Sequence, residues 1–313
     1  MPRVQILALA AAAVLAVTLF MTLNIRGDIW FAMSLRSVKL AALIIVAIAI
    51  AISTVAFQTI TANRILTPSI MGMDALYVLI QLGLILFLGG VGFASIPASY
   101  KFAGEAALML CFALALFAPL LASSRALSLL LLAGLVLGLL FRSLSSLIAR
   151  IIDPNDFAVA QYASYADFFA VDPELLAPVA IITGVGALAL WRSRHVLDVM
   201  LLGRESAIAL GVTWRLSNIG LLAVISLLTA ASTALVGPIA FLGLLVVAIT
   251  DAVIGTRRHG PMLIASSLIA IVVLVLGQAV LEHVFRNAIT LGLLVELFGG
   301  AALLWLLMGR RGQ

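Results

Sequence analysis

The feature that most constrains this chain is a series of long apolar runs separated by short charged stretches. About 20 apolar residues is the length that a helix needs to cross the hydrocarbon core of a bilayer. With 65% hydrophobic and 10% charged residues, a soluble fold would lack the polar side chains that cover a surface. The runs predict an all-α polytopic membrane protein with about ten spans and a single transmembrane domain, 1–313. The predicted cores are 4–23, 38–58, 74–93, 103–121, 126–148, 174–191, 216–236, 238–254, 262–281 and 288–308.

The first run follows Arg3 and has the charge pattern of a secretory signal peptide. It is longer than the apolar core of a signal, and no small-residue cleavage site follows it, so we expect it to be retained as the first span. Cys111, which lies within a span, is the single cysteine of the sequence, and therefore an internal disulfide is excluded.

The distribution of Lys and Arg predicts the orientation. With the N-terminus inside, eleven basic residues fall on the cytoplasmic side and seven on the outer side, which predicts that both termini are cytoplasmic. These residues occur singly or in pairs between the spans, and no basic block is present. The net charge of +5 therefore indicates topology rather than binding to nucleic acid.

Two connections between spans are long. The outer one, 149–174, carries aromatic and acidic residues typical of short interfacial helices. The inner one, 192–215, contains LLGRESAIALGV, in which Gly203 and Gly211 bracket a predicted helix of about two turns. Ala207 and Leu210, three residues apart, are expected to share its apolar side. From composition alone a polar loop is the favoured alternative.

A first helix break is predicted in QTITANRILTPSIMGMDALY, residues 58–77. Asn63, Pro68 and Gly72 interrupt the apolar pattern there, and Gln58 and Asn63 can hydrogen-bond backbone groups that the break sets free. Two interpretations remain open. An ordinary cytoplasmic turn is favoured by the residues alone, and the alternative is a re-entrant element that lines a path through the protein.

A second break is predicted at Gly237 and Pro238, in the middle of an apolar run. Pro238 suits the first turn of the following helix, because the N–H that it lacks would have no partner there. Gly243, further along, permits a close helix approach. A tight hairpin between spans and a functional gate are equally compatible with this pattern.

Glu296 falls near the middle of the last span. A carboxylate inside a membrane is costly, so it marks a functional or polar-paired site, with a structural hydrogen-bonded Glu as the alternative. The nearby Gly299 and Gly300 would let a neighbouring backbone approach. Gly134-x-x-x-Gly138 predicts a packing face between helices.

Motifs of catalysis are missing from the sequence, which has no P-loop, HExxH, Cys/His cluster or nucleophile elbow. The histidines, His195, His259 and His283, are far apart and near span ends, where we expect them to be solvated or interfacial. An enzyme is therefore disfavoured, and a transporter subunit or channel is the class that the residues favour.

The order of the motifs resembles the permease subunits of ABC importers for iron–siderophore complexes and cobalamin. In that family an Arg-x-Pro-Arg segment precedes a span, a Gln follows, and an Asn-Pro-Leu-x-x-Pro-x-x-x-Gly run comes next. The matching residues here are Arg36, Lys39, Gln58, Asn63, Pro68 and Gly72. The Gly-x-x-x-Ala-x-x-Leu-Gly-Val segment is matched by Gly203, Ala207, Leu210, Gly211 and Val212. The Gly-Pro-Ile-x-Phe-x-Gly-Leu segment is matched by Gly237, Pro238, Ile239, Phe241, Gly243 and Leu244.

The resemblance covers roughly residues 30–310, with departures at several motif positions. Val38 and Lys39 replace the Pro and second Arg of the first motif, and Arg64 replaces the Pro after Asn. Val246-Val247-Ala248 stands in place of Val-Pro-His, and the last span carries VELFGG. Together these departures resemble the branch that serves catecholate-type siderophores.

The resemblance implies a mechanism and a set of partners. Two permease chains, identical or related, form an apolar pathway at their interface by alternating access in a bacterial inner (plasma) membrane. Two cytoplasmic ATP-binding subunits drive the cycle, and an extracytoplasmic siderophore-binding protein delivers and selects the chelate. ATP and Mg belong to the ATPase, so no cofactor and no catalytic residue are expected on this chain.

The resemblance also assigns roles to residues. Arg36 and Lys39 by motif, and Arg286 by position, are expected to contact the binding protein from outer loops, with anchoring to lipid headgroups as the alternative. The coupling helix that contacts the ATPase is expected to comprise Gly203, Arg204, Glu205, Ala207, Leu210, Gly211 and Val212. The pathway or gate is expected to include Gln58, Asn63, Pro68, Gly72, Gly237, Pro238 and Glu296.

Two other classes of protein remain open. An ion-coupled secondary transporter would use Glu296 and Asp251 as proton or cation sites, and broken helices fit that class as well. A purely structural or assembly subunit would tolerate substitution of Glu296 and Gln58 without a transport defect.

Overall fold

A computed structural model describes residues 2–23, 28–122, 127–285 and 290–309, and within those ranges the secondary structure is entirely helical. The helices are α1 Pro2–Thr22, α2 Ile29–Ile60, α3 Asp74–Ser95, α4 Ala98–Ala122, α5 Leu127–Ile151, α6 Pro154–Ala163, α7 Pro173–Arg192, α8 Arg194–Met200, α9 Arg204–Ala209, α10 Trp214–Val236, α11 Leu242–Ile254, α12 His259–His283 and α13 Leu291–Gly309. A π-helical turn, Ser69–Met73, leads directly into α3.

The polytopic all-α prediction is confirmed. Eight helices in the described part of the chain are long and apolar enough to cross a membrane. The other two predicted spans fall on α11 and α13. Helix α11 has 13 residues, about 20 Å, and is shorter than the hydrocarbon core of about 30 Å. The count of ten spans is therefore approximate.

Helix α2 forms the centre of the bundle. It is 32 residues long and packs against α7, α10, α11 and α12. Its second half, Ala42 to Ile60, is largely buried, because small Ala and branched Ile and Val residues let neighbours pack on every side. The outer connection contains one short helix, α6, whose first turn is capped by Asp153, in agreement with the helical prediction for that segment.

The prediction that Pro238 begins the helix after the second break is wrong. Helix α11 begins at Leu242, so Pro238 lies in the non-helical segment 237–241. Gly237 has φ 91° and Phe241 has φ 62°. A left-handed residue at Phe241 cannot belong to a right-handed helix that starts at Pro238. Five non-helical residues, 237–241, therefore separate α10 from α11.

Close approach between α2 and α11 depends on Gly243. A Cβ atom added there would lie 2.1 Å from Thr54 Oγ1, in the buried half of α2. Thr54 is buried and its own Cβ would also lie only 3.0 Å away, so a side chain at position 243 requires the two helices to shift.

We expect Gly243→Ala to lower the free energy of unfolding by about 1–3 kcal/mol through overpacking. The matched control is Gly83→Ala, because a Cβ at Gly83 meets no atom within 4 Å. Thermal unfolding of both variants in detergent measures the difference, and adding Thr54→Ala to Gly243→Ala should restore part of the loss. Equal stability of the two single variants would contradict the packing argument.

Candidate functional site

The short helix predicted in the inner connection is present as α9. Gly203 and Gly211 flank it with φ angles of 93° and 88°, a region that glycine adopts without steric cost. The Val212 N–H donates to the Ala207 carbonyl oxygen at 2.9 Å and closes the helix end. Arg204 and Glu205, in its first turn, are both exposed.

The two apolar residues of this segment do not share a side, contrary to the prediction. Ala207 is fully buried and packs the helix onto the body of the protein, whereas Leu210 is 62% exposed. The reason is that α9 ends at Ala209, so Leu210 is already in the turn towards Gly211. Exposed apolar side chains flank both ends of α9, and we call the set the α9 surface: Leu201, Leu202, Ile208 and Leu210. Such a patch is a candidate interaction surface.

A buried polar network connects α8 to α2 and α12. Asp198 Oδ1 accepts from the His259 backbone N–H at 2.7 Å and lies 2.7 Å from the Nδ1 atom of the same residue. The His259 Nε2 atom lies 2.7 Å from Thr59 Oγ1. Of the two alternatives for the histidines, solvated or interfacial, the first does not hold for His259: it begins α12 and is 2% exposed, because α8 covers it. His195 is exposed as predicted.

The first break keeps the hydrogen bonds that the sequence indicated. Gln58 Nε2 donates to the Arg64 carbonyl oxygen at 2.7 Å, and Asn63 Oδ1 accepts from the Ile65 N–H at 3.0 Å. Pro68 precedes the π-helical turn, and Gly72 lies inside it with φ 96°. Both contacts satisfy backbone groups in the segment between the end of α2 and the π-helical turn.

The π-helical turn packs deep against α5. A Cβ at Gly72 would lie 2.9 Å from the Gly138 Cα, and a Cβ at Gly134 would lie 2.5 Å from the Met71 side chain. The predicted packing face of α5 is therefore confirmed. Gly138 follows Leu127, the start of α5, by eleven residues, or about 16 Å. That depth favours the re-entrant interpretation of this break over an ordinary turn at the membrane surface.

The second break is enclosed by two other segments. The Asp167 N–H donates to the Val236 carbonyl oxygen at 2.7 Å, and a Cβ on Gly237 would lie 2.8 Å from the Tyr165 carbonyl oxygen. On another side, a Cβ on Gly299 would lie 2.5 Å from Phe241 Cβ. Gly299 thus permits the close approach that the sequence indicated.

Glu296 lies about one turn before Gly299 on α13, and its side chain is exposed rather than enclosed. Asp251 forms an ion pair with Arg64 at 3.2 Å beside the first break. The two acids proposed for an ion-coupled mechanism are therefore found in different settings and belong to different helices, α13 and α11.

Two of the three basic residues expected in outer loops, Arg36 and Lys39, lie inside α2, because no helix breaker occurs between Ile29 and Ile60. The Arg36 guanidinium donates to the carbonyl oxygens of the last α1 turn, at 2.8–3.0 Å. Lys39 Nζ lies 2.7 Å from Glu282 Oε1 on α12 and 3.8 Å from the centre of the Phe169 ring. Arg286 lies outside the described residues. A role for these three residues in docking a binding protein remains a prediction.

A polar pair inside α3 and α4 was missed from the sequence. Gln81 Nε2 donates to Glu105 Oε1 at 2.9 Å, and both side chains are buried. They border a cavity of about 250 Å³ that also touches the segment around Asp167. The signal was available, because both residues interrupt apolar runs that were assigned as spans.

Comparison with known proteins gives near-complete matches. Residues 4–309 match the FecCD transport family. The petrobactin import system permease protein YclO of Bacillus subtilis (strain 168) is 38% identical over 98% of this chain and 97% of its own length. The petrobactin import system permease protein FatC of Bacillus anthracis is 29% identical over 88% of this chain and 78% of its own.

Solved structures support the fold. A chain of a metal-chelate type ABC transporter in an inward-facing conformation superposes with a TM-score of 0.79. The alignment covers 98% of this chain and 99% of that one at 20% identity. At that identity the likeness concerns the arrangement of helices and not the cargo.

Proposed function

The chain belongs to the FecCD transport family, and on that premise we propose that it is the transmembrane permease subunit of an ATP-driven importer for iron–siderophore complexes. The observation that carries the proposal is the 38% identity to YclO along nearly the whole of both chains. The names of both Bacillus relatives specify petrobactin import, so the ferric petrobactin complex is the first cargo to test.

The proposed assembly contains two permease chains, identical or related, that form the pathway between them. Two ATP-binding subunits contact the α9 surface, whose exposed apolar residues fit a cleft better than open water. An extracytoplasmic siderophore-binding protein supplies the cargo. ATP and Mg are held by the ATP-binding subunits, and this chain contributes no catalytic residue and hydrolyses nothing.

We place the chain in a bacterial inner (plasma) membrane as a single permease domain, 1–313, with both termini cytoplasmic. The excess of eleven inner over seven outer basic residues supports this orientation. It puts α9 and the Asp198–His259–Thr59 network at the cytoplasmic side. The segment 164–172 is then at the outer side.

The test is reconstitution of the chain with its ATP-binding subunit and binding protein in proteoliposomes, followed by uptake of radiolabelled ferric siderophore. We expect accumulation that requires ATP, the ATP-binding subunit and the binding protein together. Accumulation by the permease alone under a proton gradient would instead support an ion-coupled transporter. An importer that retains full uptake without its ATP-binding subunit would contradict the proposal.

A further inference from the structure

Helix α5 carries a row of polar side chains on one exposed face. Arg142, Ser146 and Arg150 are spaced four residues apart, and Ser143 adjoins them. Side chains at this spacing stack along one side of a helix. All four are exposed, and together with Leu139 and Leu147 they line a shallow, open depression of about 410 Å³ on α5 itself. We call this set the α5 polar row.

The depth of the α5 polar row argues against contact with lipid tails. Arg142 precedes Ile151, the outer end of α5, by nine residues, or about 13 Å. Nearly half of a hydrocarbon core of about 30 Å therefore separates Arg142 from the outer surface. A guanidinium at that depth is costly in lipid, so it faces the interior of an assembly or a water-filled space.

The two guanidinium groups have no protein partner among the described residues. Arg142 and Arg150 form no ion pair or hydrogen bond there, in contrast to Arg36, whose guanidinium donates to three carbonyl groups. The π-helical turn before α3 contacts α5 one helical turn before Arg142, where a Cβ on Gly72 would lie 2.9 Å from the Gly138 Cα. Asp74, at the start of α3, therefore lies close to the inner part of the same face of α5.

Asp74 marks the inner end of this region. It is 9% exposed, and neither of its carboxylate oxygens has a hydrogen-bond partner in the described residues. The basic groups of the α5 polar row thus lie on the outer side of Asp74.

We propose that the α5 polar row is a binding surface for an anionic, oxygen-rich metal chelate as it enters the pathway from the outer side. This inference rests on the proposed function and adds to it a surface of this chain that binds the cargo. A ferric ion held by a full set of ionised oxygen ligands bears net negative charge, because the ligand charges outnumber that of the metal. Arg donates to carboxylate-like oxygens in a fixed fork, and the serine hydroxyls supply further donors. The pathway is then polar along α5, in contrast to the apolar pathway that the family resemblance implied.

The first experiment measures the electrostatic potential at the row without relying on transport. In a Cys111→Ser background, Ser146→Cys places a thiol between the two guanidinium groups of the intact importer complex. We expect anionic methanethiosulfonate reagents to modify it faster than cationic ones of the same size. Adding Arg142→Gln and Arg150→Gln should lower this preference by about tenfold. A thiol that does not react, or one without charge preference, would overturn the proposal.

The second experiment measures import of ferric petrobactin by the reconstituted complex. Arg142→Gln with Arg150→Gln should raise KM by about tenfold, and Lys at both positions should recover most of the loss. A loss that Lys does not recover, or an unchanged KM in the Gln variant, would contradict a role for the charge. If the wild-type complex imports no ferric chelate, the proposed function fails, and the thiol experiment still decides whether the row attracts anions.

Discussion

Leu210→Glu is expected to lower ATP-driven uptake by about thirtyfold while the permease remains folded. Leu210 is 62% exposed and lies in the α9 surface, so the free permease loses no packing when it is replaced. In the assembly, a carboxylate would have to enter an apolar cleft of the ATP-binding subunit. Burying that charge without a partner costs about 2 kcal/mol of binding free energy. That is the loss measured when a hot-spot residue of a protein interface is replaced, and it exceeds the loss for an ordinary contact.

The controls separate coupling from folding. Leu210→Met keeps an apolar side chain of similar volume and should retain uptake. Glu205→Arg tests the charged part of the same helix, and Glu205→Gln is its isosteric control. Position 205 is exposed, so neither substitution disturbs the packing of the free permease. Uptake and ATP hydrolysis are measured on the same proteoliposomes, with thermal unfolding in parallel. Full uptake with Leu210→Glu would show that α9 does not contact the ATP-binding subunit.

Glu282→Ala is expected to cost about 3–5 kcal/mol of folding free energy, the largest effect of any single substitution proposed for this chain. Its carboxylate is 2.7 Å from Lys39 Nζ, and the two side chains are only 16% and 15% exposed. Removing Glu282 leaves the ammonium group between α2 and α12 without a counter-charge. The Phe169 ring above Lys39 compensates for only a fraction of that loss.

The matched comparison is the second carboxylate–cation pair between spans. Asp251→Ala breaks the pair with Arg64, but the side chains of Arg64 and Asp251 are 41% and 32% exposed. A loss of only about 0–1 kcal/mol in folding free energy is therefore expected. The double variant Lys39→Met with Glu282→Leu should recover most of the stability, because neither charge then needs a partner. Thermal unfolding in detergent checks all three. Similar losses for Glu282→Ala and Asp251→Ala would contradict the assignment of Lys39–Glu282 as a buried pair.

Local signals in the sequence were sufficient for the elements of the fold. Apolar runs placed the spans, because a helix in lipid satisfies its own backbone and needs only length and hydrophobicity. Gly203 and Gly211 placed α9, since left-handed backbone at both ends requires residues without a Cβ. Gly134 and Gly138 placed a packing face for the same steric reason.

Contacts between residues far apart in the sequence could not be predicted from local patterns. Thr59, Asp198 and His259 are separated by long stretches of chain, and nothing local distinguishes His259 from an interfacial histidine. The exit from the second break was misplaced because Phe241, an aromatic residue with no local preference for positive φ, is left-handed through its tertiary surroundings. Lys39 was assigned to a loop because an apolar core was taken to begin at the charge, whereas α2 extends well before it.

The Asp198–His259–Thr59 contacts join α8 of the inner connection to the last turn of α2. Thr59 is the neighbour of Gln58, whose amide holds the chain at the first break through the Arg64 carbonyl. Both Asp198 contacts and the Thr59 contact are 2.7 Å long, so they have little slack to absorb movement. We therefore expect a displacement of α8 to move Thr59 with it. That movement would reach the first break, where Gln58, the neighbour of Thr59, binds the chain before the π-helical turn.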